Sequence, residues 1–131
     1  MSYDANEHEV ASVTSHSGPE RFSYFLSKVT DWEEVWSLAD DEGWALSADE
    51  SGRQLVPIWP AKSFASACCV DEWARHTPRA ISVADWIEKW TPGMTTDLRG
   101  VAVFPTPADS GIVMEPQELA NAISEAMEEY E

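Results

Sequence analysis

Between Gly43 and Pro60 the chain reads GWALSADESGRQLVPIWP, and this stretch constrains the fold more than any other. Trp44 and Leu46 alternate with smaller or polar neighbours, the two-residue period of a half-buried strand. Asp49-Glu50-Ser51-Gly52 supplies short polar side chains and then a glycine that tolerates positive φ, so the chain turns there. Leu55, Val56, Ile58 and Trp59 form the returning strand. Pro57 has no N–H for a ladder, which places that part of the strand at an edge or a bulge. Pro60 pre-sets φ for a first helical turn. The prediction is strand, turn, strand and the start of a helix.

The flanking segments extend this pattern. Residues 1–18 are polar, acidic and unpatterned, and read as a flexible arm. Pro19 opens a helix whose Phe22, Phe25, Leu26 and Val29 fall on one face. Thr30-Asp31-Trp32-Glu33 has the spacing of a capping box, so a second helix is expected, with Trp32, Val35, Trp36 and Ala39 inward. After the hairpin, a helix from Pro60 carries Phe64, Ala65, Cys68 and Cys69 inward and runs to about Trp73. His76-Thr77-Pro78 breaks it. A strand follows over residues 79–83, then a helix with Trp86, Ile87 and Trp90 that Thr91-Pro92-Gly93 ends. Gly100 to Pro105 is an apolar run suited to a central strand covered on both faces. A turn over residues 106–111 leads to Ile112-Val113-Met114 as its hairpin partner. Pro116 begins a last helix bearing Leu119, Ala122, Ile123, Ala126, Met127 and Tyr130 at helical spacing. The order α-α-β-β-α-β-α-β-β-α defines an α/β protein of α+β character. Residues 19–131 form a single domain with a mixed sheet of about five strands packed with helices.

Composition limits what such a domain does. The chain has 131 residues, enough for one core, with 24 acids against 8 bases and a net charge of −16. Direct nucleic-acid binding is disfavoured, because phosphate contacts need clustered Lys and Arg. An anionic membrane surface is disfavoured for the same reason, and no apolar run approaches the ~18 residues of a membrane span. The first twenty residues carry Asp4, Glu7, Glu9 and Glu20 without an apolar run, so no signal peptide is expected. Cys68 and Cys69 are adjacent, too close for ordinary disulfide geometry, and read as free thiols of a reducing cytoplasm. His8, His16 and His76 lack the partners and spacing of a metal site. No Gly-x-Ser-x-Gly elbow, Gly-rich phosphate loop or zinc-spaced His pair is present. No catalytic residue, metal or cofactor is therefore expected.

Particular residues carry a resemblance. Glu33-Glu34-Val35-Trp36, Asp41-Glu42-Gly43-Trp44-Ala45, Val56-Pro57-Ile58-Trp59-Pro60, Trp90 with Pro92-Gly93, Val103-Phe104-Pro105-Thr106-Pro107 and Pro116-Gln117-Glu118-Leu119 together resemble a bacterial family, domain of unknown function 2750. The resemblance runs from about Arg21 to the end of the chain. The hairpin and tail also look, more distantly, like SseB-type domains, small α/β modules linked to secretion systems. Neither resemblance brings a catalytic residue; both imply a small bacterial α/β protein.

The charge pattern sets the functional expectation. From Gly100 onward there are seven acids and no Lys or Arg. Acids crowding a helix C-terminus oppose the macrodipole, and a cationic partner would relieve them. The chain is thus expected to be a non-enzymatic protein that binds, and in some settings inhibits, a basic protein partner, as an immunity or anti-defence protein or a nucleic-acid mimic would. Asp40, Asp41, Glu42, Asp49, Glu50, Glu125, Glu128 and Glu129 are the expected docking surface. The alternative is a small-molecule or peptide-binding accessory domain with a cleft at Trp44, Trp59 and Pro60, since aromatic faces attract cations.

Overall fold

The computed structural model describes residues 5–107 and 109–129. In chain order it contains α1 (Glu7–Thr14), α2 (Gly18–Trp32), β1 (Glu34–Asp40), β2 (Gly43–Trp44), β3 (Ser47–Ala48) and β4 (Gln54–Ile58). Then come α3 (Lys62–Ala67), a 3-10 turn (Asp71–Trp73), β5 (Thr77–Ser82), α4 (Val83–Asp85), a π turn (Trp86–Trp90) and α5 (Thr91–Thr96). The chain continues with β6 (Gly100–Val103), β7 (Ile112–Met114) and α6 (Pro116–Glu129). The fold is α+β. The expected mixed sheet is present as β3-β4-β6-β7, with β4 and β6 parallel, and a second, antiparallel sheet β2-β1-β5 stands beside it. An isolated bridge joins the two: Trp36 and Trp59 each donate an N–H to the other's carbonyl at 2.8 Å.

The elements with strong patterns form as the sequence predicts. In α2, Phe25 and Val29 are fully buried and Phe22 and Leu26 pack against them. Ser17 and Glu20 cap this helix reciprocally, satisfying two donors at its N-terminus. All four residues of β6 are buried, as a strand flanked by β4 and β7 requires. In α6, Leu119 and Ile123 are fully buried and Pro116 sits at the first position. Pro57 lies where its missing N–H costs little. The Ile58 carbonyl accepts from Phe104 N at 2.8 Å, so the alternation along β4 turns Pro57 away from β6. On that other side β3 pairs only with Gln54 and Leu55.

Five segments differ from expectation. The helix expected from Pro60 to about Trp73 is shorter: α3 ends at Ala67, and Asp71, at φ 52 in the left-handed region, allows only a 3-10 turn over Asp71–Trp73. The expected arm contains α1, capped by Asn6, whose Oδ1 accepts from Glu9 N at 2.8 Å; Ala5 and Val13 are buried beneath it. Met1–Asp4 of that arm lie outside the described residues, as do Tyr130 and Glu131. The helix expected after Thr30 is instead β1. Glu33, at φ 53, ends α2 in the left-handed region, and Thr30 is an interior residue of that helix rather than a cap. Apolar residues at 35, 36, 38 and 39 suit a helix face, but a strand covered on both faces accepts the same run. Gly43–Trp44 pairs with β1, not with β4, so the expected hairpin narrows to Ser47–Ala48 against Gln54–Leu55. Finally, Thr91-Pro92 does not stop the helix. The ladder widens into the π turn, where Thr91 donates through both its N–H and its hydroxyl to the Trp86 carbonyl, and the chain stays helical to Thr96. A π turn ahead of a helical proline accommodates its missing N–H.

Candidate functional site

One cleft opens beyond the carboxyl ends of the parallel strands β4 and β6. Its volume is about 250 Å³, and the segments that leave those two strands, with Ser47 of β3, build it. From the β4 side come Cys68, Val70 and the 3-10 turn Asp71–Trp73; from the β6 side come Pro105, Thr106, Pro107 and Asp109. Crevices outside the carboxyl ends of parallel strands are the usual ligand sites of α/β sheets. Two bends hold this one. Phe104, fully buried, and Asp71 both lie in the left-handed region, at φ 57 and 52. For a bulky residue this costs on the order of 1–3 kcal/mol, which the Phe104 ring offsets by packing edge-on to Phe64 at 4.9 Å. The Pro105 carbonyl then points inward, accepting from Trp59 Nε1 at 2.8 Å and Cys68 Sγ at 3.4 Å.

The cleft floor is apolar and its rim is acidic. Trp73 stands edge-on to Trp59, and Val70 is 47% exposed beside it. Asp71, Glu72 and Asp109 line the cleft, and its described lining includes no Lys or Arg. Asp109 is already engaged: it accepts from Gly111 N at 2.7 Å and pairs at 3.0 Å with Arg21, a guanidinium only 4% exposed. The Gly111 N–H first, and Arg21 after it, hold this carboxyl below the usual range against the opposing effect of burial. Asp71 and Glu72 have no ion pair among the described residues. Burial pushes the Cys68 thiol up to about 11, which favours the neutral thiol at the cleft floor.

A second, wider hollow of about 530 Å³ lies at the β1–β2 turn. Trp44, 40% exposed, packs edge-on to Trp90 at 4.7 Å, and Asp40, Glu42, His76 and Arg99 complete the walls. His76 Nε2 stands 3.5 Å from Asp40 Oδ2. Such a pair can orient an imidazole for proton transfer, but among the described residues no Ser, Thr or Cys lines this hollow to serve as its nucleophile.

The expected acidic surface is divided among three places. Asp40, Asp41 and Glu42 form the β1–β2 turn, and a separate hollow brings Arg75 and Arg79 beside them. Asp40 also shapes its turn, with Oδ1 accepting from Glu42 N and Gly43 N. Asp49 and Glu50 lie in the β3–β4 turn, where Asp49 accepts from Ser51 and Arg53; the Ser51 hydroxyl is the main cause of its lowered pKa. Glu125, Glu128 and Glu129 are exposed near the end of α6. The expected ligand cleft separates too. Trp44 lines the second hollow, whereas Trp59 and Pro60 are buried, so Trp59 backs Trp73 instead of meeting a ligand. Asp71, Glu72 and Trp73 were missed by sequence reasoning. What points to them is the parallel pairing of β4 with β6, which no local stretch of sequence carries.

Fold and surface together define a small, strongly acidic α+β protein with an acid-rimmed cleft at a parallel strand pair. Residues 22–123 match the model of the family described as protein of unknown function (DUF2750), and the chain belongs to that family. No match is found among curated proteins or among solved structures.

Proposed function

We propose that this protein is a non-catalytic acidic binding module that docks a basic protein partner and restrains it. The carrying observation is the end of α6. Glu125, Glu128 and Glu129 sit there with no basic residue in the last turn and no ion pair among the described residues. They occupy the negative end of the helix macrodipole and repel one another at i,i+3 and i,i+4 spacing, each effect unfavourable by a few tenths of a kcal/mol. A cationic partner reverses both effects, and the net charge of −16 steers it on approach.

The test is capture of partners from host lysate by the tagged chain at low and moderate salt, beside the variant E125Q/E128Q/E129Q. One basic protein recovered in near-equal amount, lost with rising salt and reduced at least tenfold by the variant, is the expected result. Equal recovery by the variant at both salts overturns the role of α6. The second reading, a small-molecule or peptide site, is favoured by the hollow around Trp44, Trp90 and His76. A thermal-shift screen that raises the melting temperature in the wild type but not in Trp44→Ala supports it.

A further inference from the structure

We propose that the cleft at Trp73 receives an arginine side chain presented by the basic partner; this rests on the docking reading above and names the group it buries. Size is the first argument. At about 250 Å³ the cleft falls below the roughly 300–1,000 Å³ of sites for drug-sized ligands. It fits one inserted side chain rather than a cofactor.

Chemistry is the second argument. Trp73, Val70, Pro105 and Pro107 offer an apolar channel for an aliphatic stem. Asp71 and Glu72, adjacent on the 3-10 turn, put beside it carboxylates that have no ion pair among the described residues. The cleft thus joins an indole surface to carboxylate oxygens, and arginine satisfies both together. Its planar guanidinium stacks on an aromatic face and forks onto a carboxylate, where lysine offers a single strongly hydrated point charge. An anionic group is disfavoured, because no Lys or Arg lines the cleft among the described residues. The second hollow is a poorer fit for a cation, since Arg99 already stands in its wall.

Rigidity is the third argument. The Pro105 carbonyl is tied to Trp59 and Cys68, and Trp73 is seated edge-on against Trp59. A cleft that is formed before binding spends less affinity on ordering itself.

The experiment titrates the ¹⁵N-labelled full chain with N-acetyl-arginine-N-methylamide, followed by NMR at the tryptophan indole N–H signals. The isosteric citrulline compound, which lacks the charge, and the lysine compound run in parallel. The inference requires a saturable shift of the Trp73 indole and of the Asp71 and Glu72 amides. Citrulline must give no saturation, and lysine must bind at least threefold more weakly. In the variant D71N/E72Q the arginine affinity must fall at least fivefold. That variant keeps the fold, because both side chains are exposed and Asn tolerates the left-handed backbone at position 71. Absence of a saturable shift, equal binding of citrulline, or shifts centred on Trp44 and Trp90 overturns the inference. Those results leave the α6 reading standing, since its own test uses Glu125, Glu128 and Glu129. Failure of partner capture with intact arginine binding overturns the docking reading and leaves the cleft as a site for arginine alone.

Discussion

Ser37→Ala tests how the two sheets are held together. Ser37 is fully buried in β1, and its hydroxyl donates to the Pro57 carbonyl across the seam at 2.7 Å. Pro57 faces away from β6, and β3 ends its pairing at Leu55, so no strand ladder serves that carbonyl. Removing the hydroxyl loses a bond worth about 1 kcal/mol net and strands a buried acceptor at roughly 1–3 kcal/mol. The side chain is fully buried and the lost volume is one oxygen, so cavity terms are small. The expected loss is about 2 kcal/mol, which for a chain of this size lowers the melting temperature by roughly 6–10 °C. Urea unfolding should show a lower midpoint with an unchanged slope, because the surface exposed on unfolding is the same. Ser66→Ala, at an exposed position, is the control and should stay within about 0.5 kcal/mol. A Ser37→Ala loss no larger than the control's would refute the reasoning and leave the seam to the Trp36–Trp59 bridge and to packing.

Three further perturbations follow from the structure. Gly111→Ala should cost at least ~2 kcal/mol, since Gly111 has φ +85 and an added Cβ would lie 2.7 Å from the Val103 carbonyl oxygen; a melting temperature within 2 °C of wild type, roughly half a kcal/mol, would contradict this. Cys68, raised to about 11 by burial, should resist iodoacetamide at pH 8 by orders of magnitude relative to the unfolded chain, checked by mass spectrometry of the labelled peptide. Because the folded chain holds this proton more tightly than the unfolded one, stability should fall as pH rises from the unfolded thiol's value toward about 11; Cys68→Ala should lose that slope. At the acid end, Asp109 and Glu115 are held low by Gly111 N–H and by Arg53 respectively. Their stabilisation is present above the usual carboxyl range of about 4 and is lost as pH falls below it; Asp109→Asn should flatten the acid limb of the melting curve.

Much of the fold was legible because its signals were local. The stripe Phe22, Phe25, Leu26, Val29 and the apolar run Gly100–Val103 each had one physical solution. Residues 34–40 did not, since four apolar residues in seven serve a helix face or a doubly covered strand equally, and β5 on one flank and β2 on the other decide the matter. Pro92 read as a stop because the widened π turn that accommodates it leaves no mark in composition. The α1 segment carries only Val10 and Val13 as apolar contacts, too few for a face to show, and Asn6 was the sole local sign. The cleft was illegible for a different reason: Asp71 to Trp73 and Pro105 to Asp109 meet only through the parallel pairing of β4 and β6, a long-range fact that no window of sequence contains.

That parallel pairing also dictates how the chain reaches its native state. Leu55 lies opposite Gly100, and the connection between them includes α3, β5 and the whole irregular helix from Val83 to Thr96. The β6–β7 pair can zip locally, but β6 cannot dock on β4 until that long excursion has folded back, with β5 committed to the other sheet. Loop closure of this length is slow, and contact order of this kind places refolding toward milliseconds to seconds rather than microseconds. The acid-rimmed cleft, built from the segment that follows α3 and the segment that leaves β6, is therefore complete only once β6 has docked on β4. A chain in which β6 has not docked presents α2 and the β1 sheet without the cleft, so under the docking proposal an arginine held there would also report that folding is complete.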